Sequence, residues 1–366
     1  VRVALITYST KPRGGVVHTL ALAEALADAG ADVTVWSLAR GDDSGFFRTV
    51  DSRVRLRLIE FPTMEDETVT DRIVRSIETM RRAFDRREYD IVHAQDCISA
   101  NAVGPCIRTV HHLDEFTTPV LAECHEKAIV EPYARICVSR AVAAEVVDGW
   151  GLHPTVIPNG VAAQRFVDAA ADTVEAIAAR ERWRSQLGTY VLAVGGIEPR
   201  KGSIDLLDAY ALLQATHPGL SLVFAGGETL FDYRDYRAEF DRRRGELDVE
   251  PAVLGTVDDD ELPALVSASA VFAFPSTKEG FGLAAMEALA AGRPVVARDL
   301  PVLREVFGEC VSYAADVPQL ADALAGALGT GTDRSTAGRD LAESMTWAAA
   351  AQAHLRFYAD HPMPTN

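Results

Sequence analysis

The first apolar run, RVALITY, gives way to GGVVHTLALAEALADAG, where apolar residues return every three or four positions until Gly30. That spacing predicts a short strand and then a helix closed by a C-terminal glycine. ADVTVWSL follows as a second strand, and further strand-like runs stand at VRLRLIEF, YDIVHAQ, IRTVHHL, RICVS and TVIPNG, with helical or loop segments between most of them. Strands that alternate with helices predict parallel sheets covered on both faces. The alternation stops in VAAQRFVDAAADTVEAIAARERWRSQLGT, which has no β-rich run. It restarts with YVLAVGG, SIDLLDAYALLQATH, LSLVFAGG, PAVLGTV, DELPALVSAS, AVFAFPS, a helix from about Gly282, and PVVARD. The pattern predicts an α/β chain of two doubly wound domains, residues 1–163 and 164–345, joined near 160–188. The last stretch, TWAAAAQAHLRFYAD, has helical spacing and no strand beside it. A helix within 346–366 that crosses back to the first domain suits it, and a surface helix suits it nearly as well.

Length agrees, because 366 residues exceed the roughly 250–300 at which a single core stops growing. With 48% of residues apolar and 24% charged, the composition is that of a folded globular chain. No apolar run approaches the roughly 18–20 residues that span a bilayer, so neither a membrane span nor a signal peptide is expected. Cys97, Cys106, Cys124, Cys137 and Cys310 lack C-x-x-C spacing, which predicts free thiols and a cytoplasmic setting. The net charge of −17 argues against nucleic acid as a partner, since phosphate backbones are bound through clustered Lys and Arg. RIVRSIETMRRAFDRREYD, Arg72 to Asp90, is locally basic at helical spacing. A solvated helix face explains it; the sharper reading is peripheral contact with an anionic surface at the inner face of the membrane.

In open α/β sheets ligands sit beyond the carboxyl ends of the strands, so the strand-to-helix turns hold the candidate chemistry. Gly14-Gly15 opens the first helix and would let backbone N–H groups approach an anion, although a tight turn also explains two glycines. His111 and His112 end a strand; facing opposite ways, they offer no metal pair, and one of them can reach a substrate hydroxyl. In GGIEPRKG, Arg200 and Lys201 stand where a helix begins, a place the helix dipole disfavours for cations and a phosphate would favour. Lys201 is one of only four lysines, so a generally lysine-rich surface does not account for it. Asp258 to Asp260 precede a helix and read as N-capping rather than metal binding.

The richest stretch is STKEGFGLAAMEALAAGRPVVA. A helix starting in it would present N–H groups of Gly280, Phe281, Gly282 and Leu283 to a phosphate. Glu279 and Glu287, eight residues apart, lie about 12 Å apart along an ideal helix, too far to share one small group. They suit two hydroxyl-bearing parts of one long ligand, a sugar and a ribose, with phosphate between. Gly280, Gly282 and Ala285 also fit a G-x-G-x-x-A dinucleotide fingerprint, with Asp299 as its acidic residue. Against an NAD-dependent dehydrogenase stand the position of the loop late in its domain, the charge of Glu279, and the lack of any use for Arg200 and Lys201.

With these residues assembled, the chain resembles the retaining glycosyltransferases of family 4. The likeness runs through GGVVHTLALAEALADAGADVTVW, TVHHLDEF, CVSRAV, VIPNGV, VGGIEPRKG, FAGG, LGTVDDDELPALVSASAVFAFPS and the E-x7-E segment EGFGLAAMEALAAGRPVVA. The resemblance implies the GT-B fold, two Rossmann-like domains facing across a cleft, with acceptor binding in the first and donor binding in the second. It implies a nucleotide-diphosphate sugar as co-substrate, no metal, and an acceptor hydroxyl on a sugar, a lipid-linked group or a small molecule. Residue by residue it implies Glu279 at the donor sugar, Glu287 at the ribose, and Lys201 with Arg200 at the diphosphate. Gly15 would lie under the diphosphate, and His111, rather than His112, beside the transferred sugar. The family commonly has an arginine where this chain has Gly196, so Arg200 is the cation expected to compensate. A GT-B isomerase that changes a nucleotide sugar without an acceptor is the alternative within the same fold.

Overall fold

All strand pairings in the computed structural model are parallel. The structure describes residues 1–41, 43–116, 118–227, 233–329 and 334–364. It divides into two units, Val1–Gly160 together with the chain from Met345 onward, and Val161–Ser344.

The first unit begins with β1 (Arg2–Ile6), α1 (Gly14–Asp28), β2 (Asp32–Arg40), β3 (Arg55–Phe61), α2 (Val69–Ala83) and β4 (Ile91–Ala94). It continues through α3 (Cys97–Val103), β5 (Ile107–Val110), α4 (Pro119–Val130), β6 (Ala134–Cys137), α5 (Arg140–Trp150) and β7 (Thr155–Val156). The seven strands lie in the order β3-β2-β1-β4-β5-β6-β7. Val3, Ala4, Leu5 and Ile6 of β1 are all fully buried, as expected of a central parallel strand with helices on both faces. Edge strand β3, RLRLIEF, alternates arginine with leucine and is largely exposed. Charges on an edge discourage pairing with other chains. The basic helix α2 buries Ile73, Ser76, Ile77 and Met80. Arg75 is committed to Glu67 at 2.5 Å, and Arg81 donates to the Asn101 carbonyl at 2.7 Å.

The second unit contains α6 (Ala163–Ala170), α7 (Val174–Leu187), β8 (Thr189–Val194), α8 (Ser203–Gln214), β9 (Leu220–Ala225), α9 (Arg234–Leu247) and β10 (Ala252–Gly255). Then come α10 (Leu262–Ala268), β11 (Val271–Phe274), α11 (Leu283–Ala290), β12 (Val295–Arg298), α12 (Pro301–Phe307), β13 (Ser312–Ala314), α13 (Val317–Gly329) and α14 (Arg334–Ser344). Its sheet runs β10-β9-β8-β11-β12-β13. The capping expected of Asp258 to Asp260 is corrected: the N-cap of α10 is Glu261, with no side-chain cap bond. Pro263 in the first turn of α10 removes a donor that a cap would serve, and the Asp258 backbone carbonyl takes the N–H groups of Glu261 and Leu262 instead. Asp259 is spent on an ion pair with Arg165 at 2.7 Å.

The chain then returns to the first unit as α15 (Trp347–Asp360), which packs on α1 and buries Ala350, Ala351, His354, Phe357 and Tyr358. All five cysteines are free thiols.

Candidate active site

In each sheet the chain starts at an inner strand, builds outward to one edge, and then crosses to the other side. The reversal falls between β1 and β4 in the first unit and between β8 and β11 in the second. Turns leaving the two strands at such a switch point diverge, and the gap between them is where open α/β sheets bind ligands.

In the second unit those turns carry Lys201 and Glu279. After β8 the chain makes a single 3-10 turn, Pro199–Lys201, ended by Gly202 at φ 64°. A Cβ on Gly202 would stand 2.3 Å from the Pro275 carbonyl oxygen, so only glycine lets this turn close on the end of β11. That approach delivers Lys201 Nζ to Glu279 Oε1 at 2.6 Å. Arg200 Nη1 donates to the same oxygen at 3.1 Å, and Arg200 Nη2 to Glu198 Oε1 at 3.4 Å. Burial pulls the Lys201 ammonium below its ordinary pKa, while the Glu279 carboxylate pulls it back up. Beside this cluster lies a small concavity lined by Gly195, Gly196, Lys201, Phe274 and Ser276, among others.

Gly282, at φ 98°, is the N-cap of α11, and a Cβ there would meet the Phe307 ring at 2.7 Å. Phe281 is buried, so what it offers a ligand is its backbone. The turn Gly280 to Leu283 thus presents N–H groups at the positive end of a helix, the arrangement that suits phosphate. About one helical turn past Leu283, Glu287 is half-buried. Its carboxyl is pushed up to about 8 by burial, with Arg165 pulling it down and Asp259 pushing it up. Glu279 and Glu287 therefore sit among different partners.

In the first unit the switch-point turns are tied together by Asp96, which accepts the Tyr8 N–H at 2.9 Å and caps α3 through the Ser99 N–H at 2.7 Å. His111, beyond β5, lies over Gly15: a Cβ on that glycine would be 3.6 Å from His111 Cδ2. His111 Nε2 lies 3.3 Å from Gln95 Oε1, and its ring packs edge-on against His18 with centroids 4.7 Å apart. His18 Nδ1 is 2.9 Å from Asn159 Oδ1. Burial holds His111 well below the ordinary imidazole pKa and takes His18 to about 3. A neutral His111 can exchange a hydrogen bond with a hydroxyl but carries no charge to a phosphate. His112 turns elsewhere, 3.2 Å from Asp114.

The fold thus brings Arg200, Lys201 and Glu279 into contact, sets Gly280, Phe281, Gly282, Leu283 and Glu287 on the next turn and helix of the same unit, and joins Gly15 to His111 in the other unit. Sequence reasoning passed over Glu198, Gly202, Gln95, His18, Asn159 and Arg165. Gly202, directly after Lys201, carried a signal in its place; the partners of His111 carried none, since Asn159 is 141 residues from His18. The dinucleotide fingerprint is set aside, because its glycine loop follows β11 rather than β8, the first strand of its sheet. Asp299 is held by Arg304 at 2.5 and 2.8 Å. Among the described residues no group of three or more His, Cys, Asp or Glu could hold a metal ion. Among the same residues no helix is long and apolar enough to cross a membrane.

Two parallel doubly wound units, one gathering cations and a carboxylate at its switch point, put the chain in the class of GT-B enzymes. Solved structures agree on the fold. Sucrose-phosphate synthase from Thermosynechococcus elongatus superposes with a TM-score of 0.78 at 20% identity, covering 98% of both chains. Anabaena HepE, solved with UDP and glucose, gives 0.75 at 19%, covering 98% of this chain and 99% of the other. The family described as Glycosyltransferase Family 4 matches residues 12–165, and Glycosyl transferases group 1 matches residues 178–331. The D-inositol 3-phosphate glycosyltransferase of Pseudarthrobacter chlorophenolicus is 28% identical over 98% of this chain and 94% of its own. The phosphatidyl-myo-inositol mannosyltransferase of Mycobacterium leprae is 29% identical over 96% and 94%. The chain belongs to glycosyltransferase family 4: it is a retaining glycosyltransferase that moves a sugar from a nucleotide-diphosphate sugar to an acceptor hydroxyl.

Proposed function

We propose that the donor is held by the turns that follow β8 and β11. Lys201 and Arg200 grip the diphosphate, joined by the N–H groups of Gly280 to Leu283. Glu279 accepts hydrogen bonds from the donor sugar and Glu287 from the ribose. In the first unit, Gly15 is the glycine assigned to the diphosphate and His111 the residue assigned to the transferred sugar. The observation that carries the reading is the 2.6 Å contact between Lys201 and Glu279, two site-type residues delivered from opposite sides of a switch point.

The reaction follows from that arrangement. Retaining glycosidases use one carboxylic acid and one carboxylate nucleophile about 5 Å apart. Here the carboxylate nearest the proposed sugar position, Glu279, is tied to two cations. The assignment is therefore a front-side displacement, in which the leaving diphosphate takes the proton of the acceptor hydroxyl as the new glycosidic bond forms. Lys201, Arg200 and the helix N–H groups stabilise the charge that develops on the leaving group. No metal enters this reading, and activity undiminished by a chelator is its expected result.

The acceptor is a hydroxyl on a sugar, a lipid-linked group or a small molecule. The two relatives above, both named for inositol-type acceptors, make such a hydroxyl the first to try. Free thiols and the basic helix α2 support a cytoplasmic protein that touches the inner membrane face. A thermal-shift screen against UDP-, GDP- and ADP-sugars tests the donor assignment. Stabilisation by at least one of them is expected; a response to NAD alone would overturn it.

A further inference from the structure

Lys201 Nζ and Arg200 Nη1 converge on one oxygen of Glu279, at 2.6 and 3.1 Å. The side chains of Lys201, Arg200 and Glu279 are only 21%, 25% and 10% exposed, so water screens the contact incompletely. In the donor assignment above, the same two cations hold the diphosphate and the same carboxylate holds the sugar. A carboxylate oxygen and a phosphate oxygen cannot occupy one position on an ammonium. On that assignment, Glu279 Oε1 takes up a hydrogen-bonding position of Lys201 that a phosphate oxygen would also use.

We infer that Glu279 makes the site discriminate between the loaded donor and the spent nucleotide, by competing with the diphosphate for Lys201 and Arg200 unless a sugar engages it. This rests on the donor assignment. When a nucleotide sugar enters, its phosphates take over the cations and its sugar hydroxyls donate to the displaced carboxylate, so every charged group keeps a partner. After transfer, the hydroxyls have gone with the sugar. The carboxylate has then lost the sugar's hydroxyls as donors and competes again for Lys201, which weakens the hold on the nucleoside diphosphate. Sugar and diphosphate thereby support each other's binding, a coupling that is reciprocal by necessity.

Glu198 supplies the control. It is as buried as Glu279 and reaches Arg200 at 3.4 Å, but Lys201 hydrogen-bonds only Glu279 among the described residues. Removing its charge therefore weakens the hold on Arg200 but leaves the hydrogen bond that competes at Lys201 in place.

The test is calorimetric titration of wild type, Glu279→Gln and Glu198→Gln with UDP, GDP and ADP and with their hexose conjugates. Glu279→Gln is expected to bind the cognate nucleoside diphosphate at least about fivefold tighter, the lower end of ordinary coupling, and its sugar conjugate no tighter. Glu198→Gln is expected to tighten diphosphate binding clearly less than Glu279→Gln does, since Glu198 reaches Arg200 at 3.4 Å and makes no hydrogen bond to Lys201. An unchanged or weaker diphosphate affinity in Glu279→Gln overturns the inference, as does equal tightening of diphosphate and conjugate, or equal tightening in Glu198→Gln. Glu279→Ala replaces Glu279→Gln if that variant does not fold. A folded wild type that binds none of the nucleotides or conjugates refutes the donor assignment itself; one that binds conjugates without the Glu279→Gln effect refutes the inference alone.

Discussion

In its proposed role at the ribose, Glu287 ties donor binding to a titration that its burial sets. Burial disfavours the charged form and pushes its carboxyl up to about 8. Below that pH the protonated carboxyl would have to release a proton to accept two ribose hydroxyls in the proposed role. Donor affinity is therefore expected to rise with pH from about 6 to about 8 and to level off above, by at most tenfold per unit. In Glu287→Gln that slope should vanish, which titrations at a series of pH values would check. The same raised value makes the unliganded fold lose stability as pH climbs from the unfolded carboxyl's range towards 8, because the folded state binds the proton more tightly. At this scale the sequence was partly legible. In the sequence, the rise of an ideal helix separates Glu279 from Glu287, whereas in the fold α11 begins only at Leu283 and Glu279 stands in the turn before it. The partners of Glu279 were not legible, since Lys201 lies 78 residues away and only the fold brings it near.

The turn from Pro199 to Gly202 shows how an element positions a charge. Replacing Gly202 by alanine would force a φ of 64° on an L residue and press a methyl against the Pro275 carbonyl. Strain of that kind costs about 1–3 kcal/mol. Gly202→Ala is expected to lower the unfolding midpoint of the second unit and to weaken donor binding by moving Lys201, measured by calorimetry and titration. Helices and central strands were readable because burial on both faces writes continuous apolar runs such as VALI in β1 and VFAF in β11. The aspartates before α10 misled, because a backbone carbonyl and an ion pair leave no mark in local sequence. Strand β7 is only Thr155–Val156, shorter than its apolar run, since an edge strand needs few pairings.

Across the whole molecule the chain leaves the first unit after Gly160 and returns at Met345. A Cβ on Gly160 would lie 2.4 Å from the Trp347 backbone nitrogen and 2.6 Å from its Cγ, so that glycine seats the start of α15. Gly160→Ala is expected to destabilise the first unit by about 1–3 kcal/mol, the usual cost of overpacking, with a lower unfolding midpoint in calorimetry. Alternation of strands and helices predicted two doubly wound halves. Strand order, and with it the two switch points, comes from the crossovers and leaves no local trace in the sequence. The switch point of the second unit gathers Lys201 and Glu279 into one site, and the central claim is that this site carries the reaction. Steady-state kinetics of Lys201→Ala with the donor found by screening tests it most directly. A fall in kcat of about 10²–10³, the loss typical of a group that stabilises transition-state charge, is the predicted result. Near-normal kcat and KM in the folded variant would contradict it.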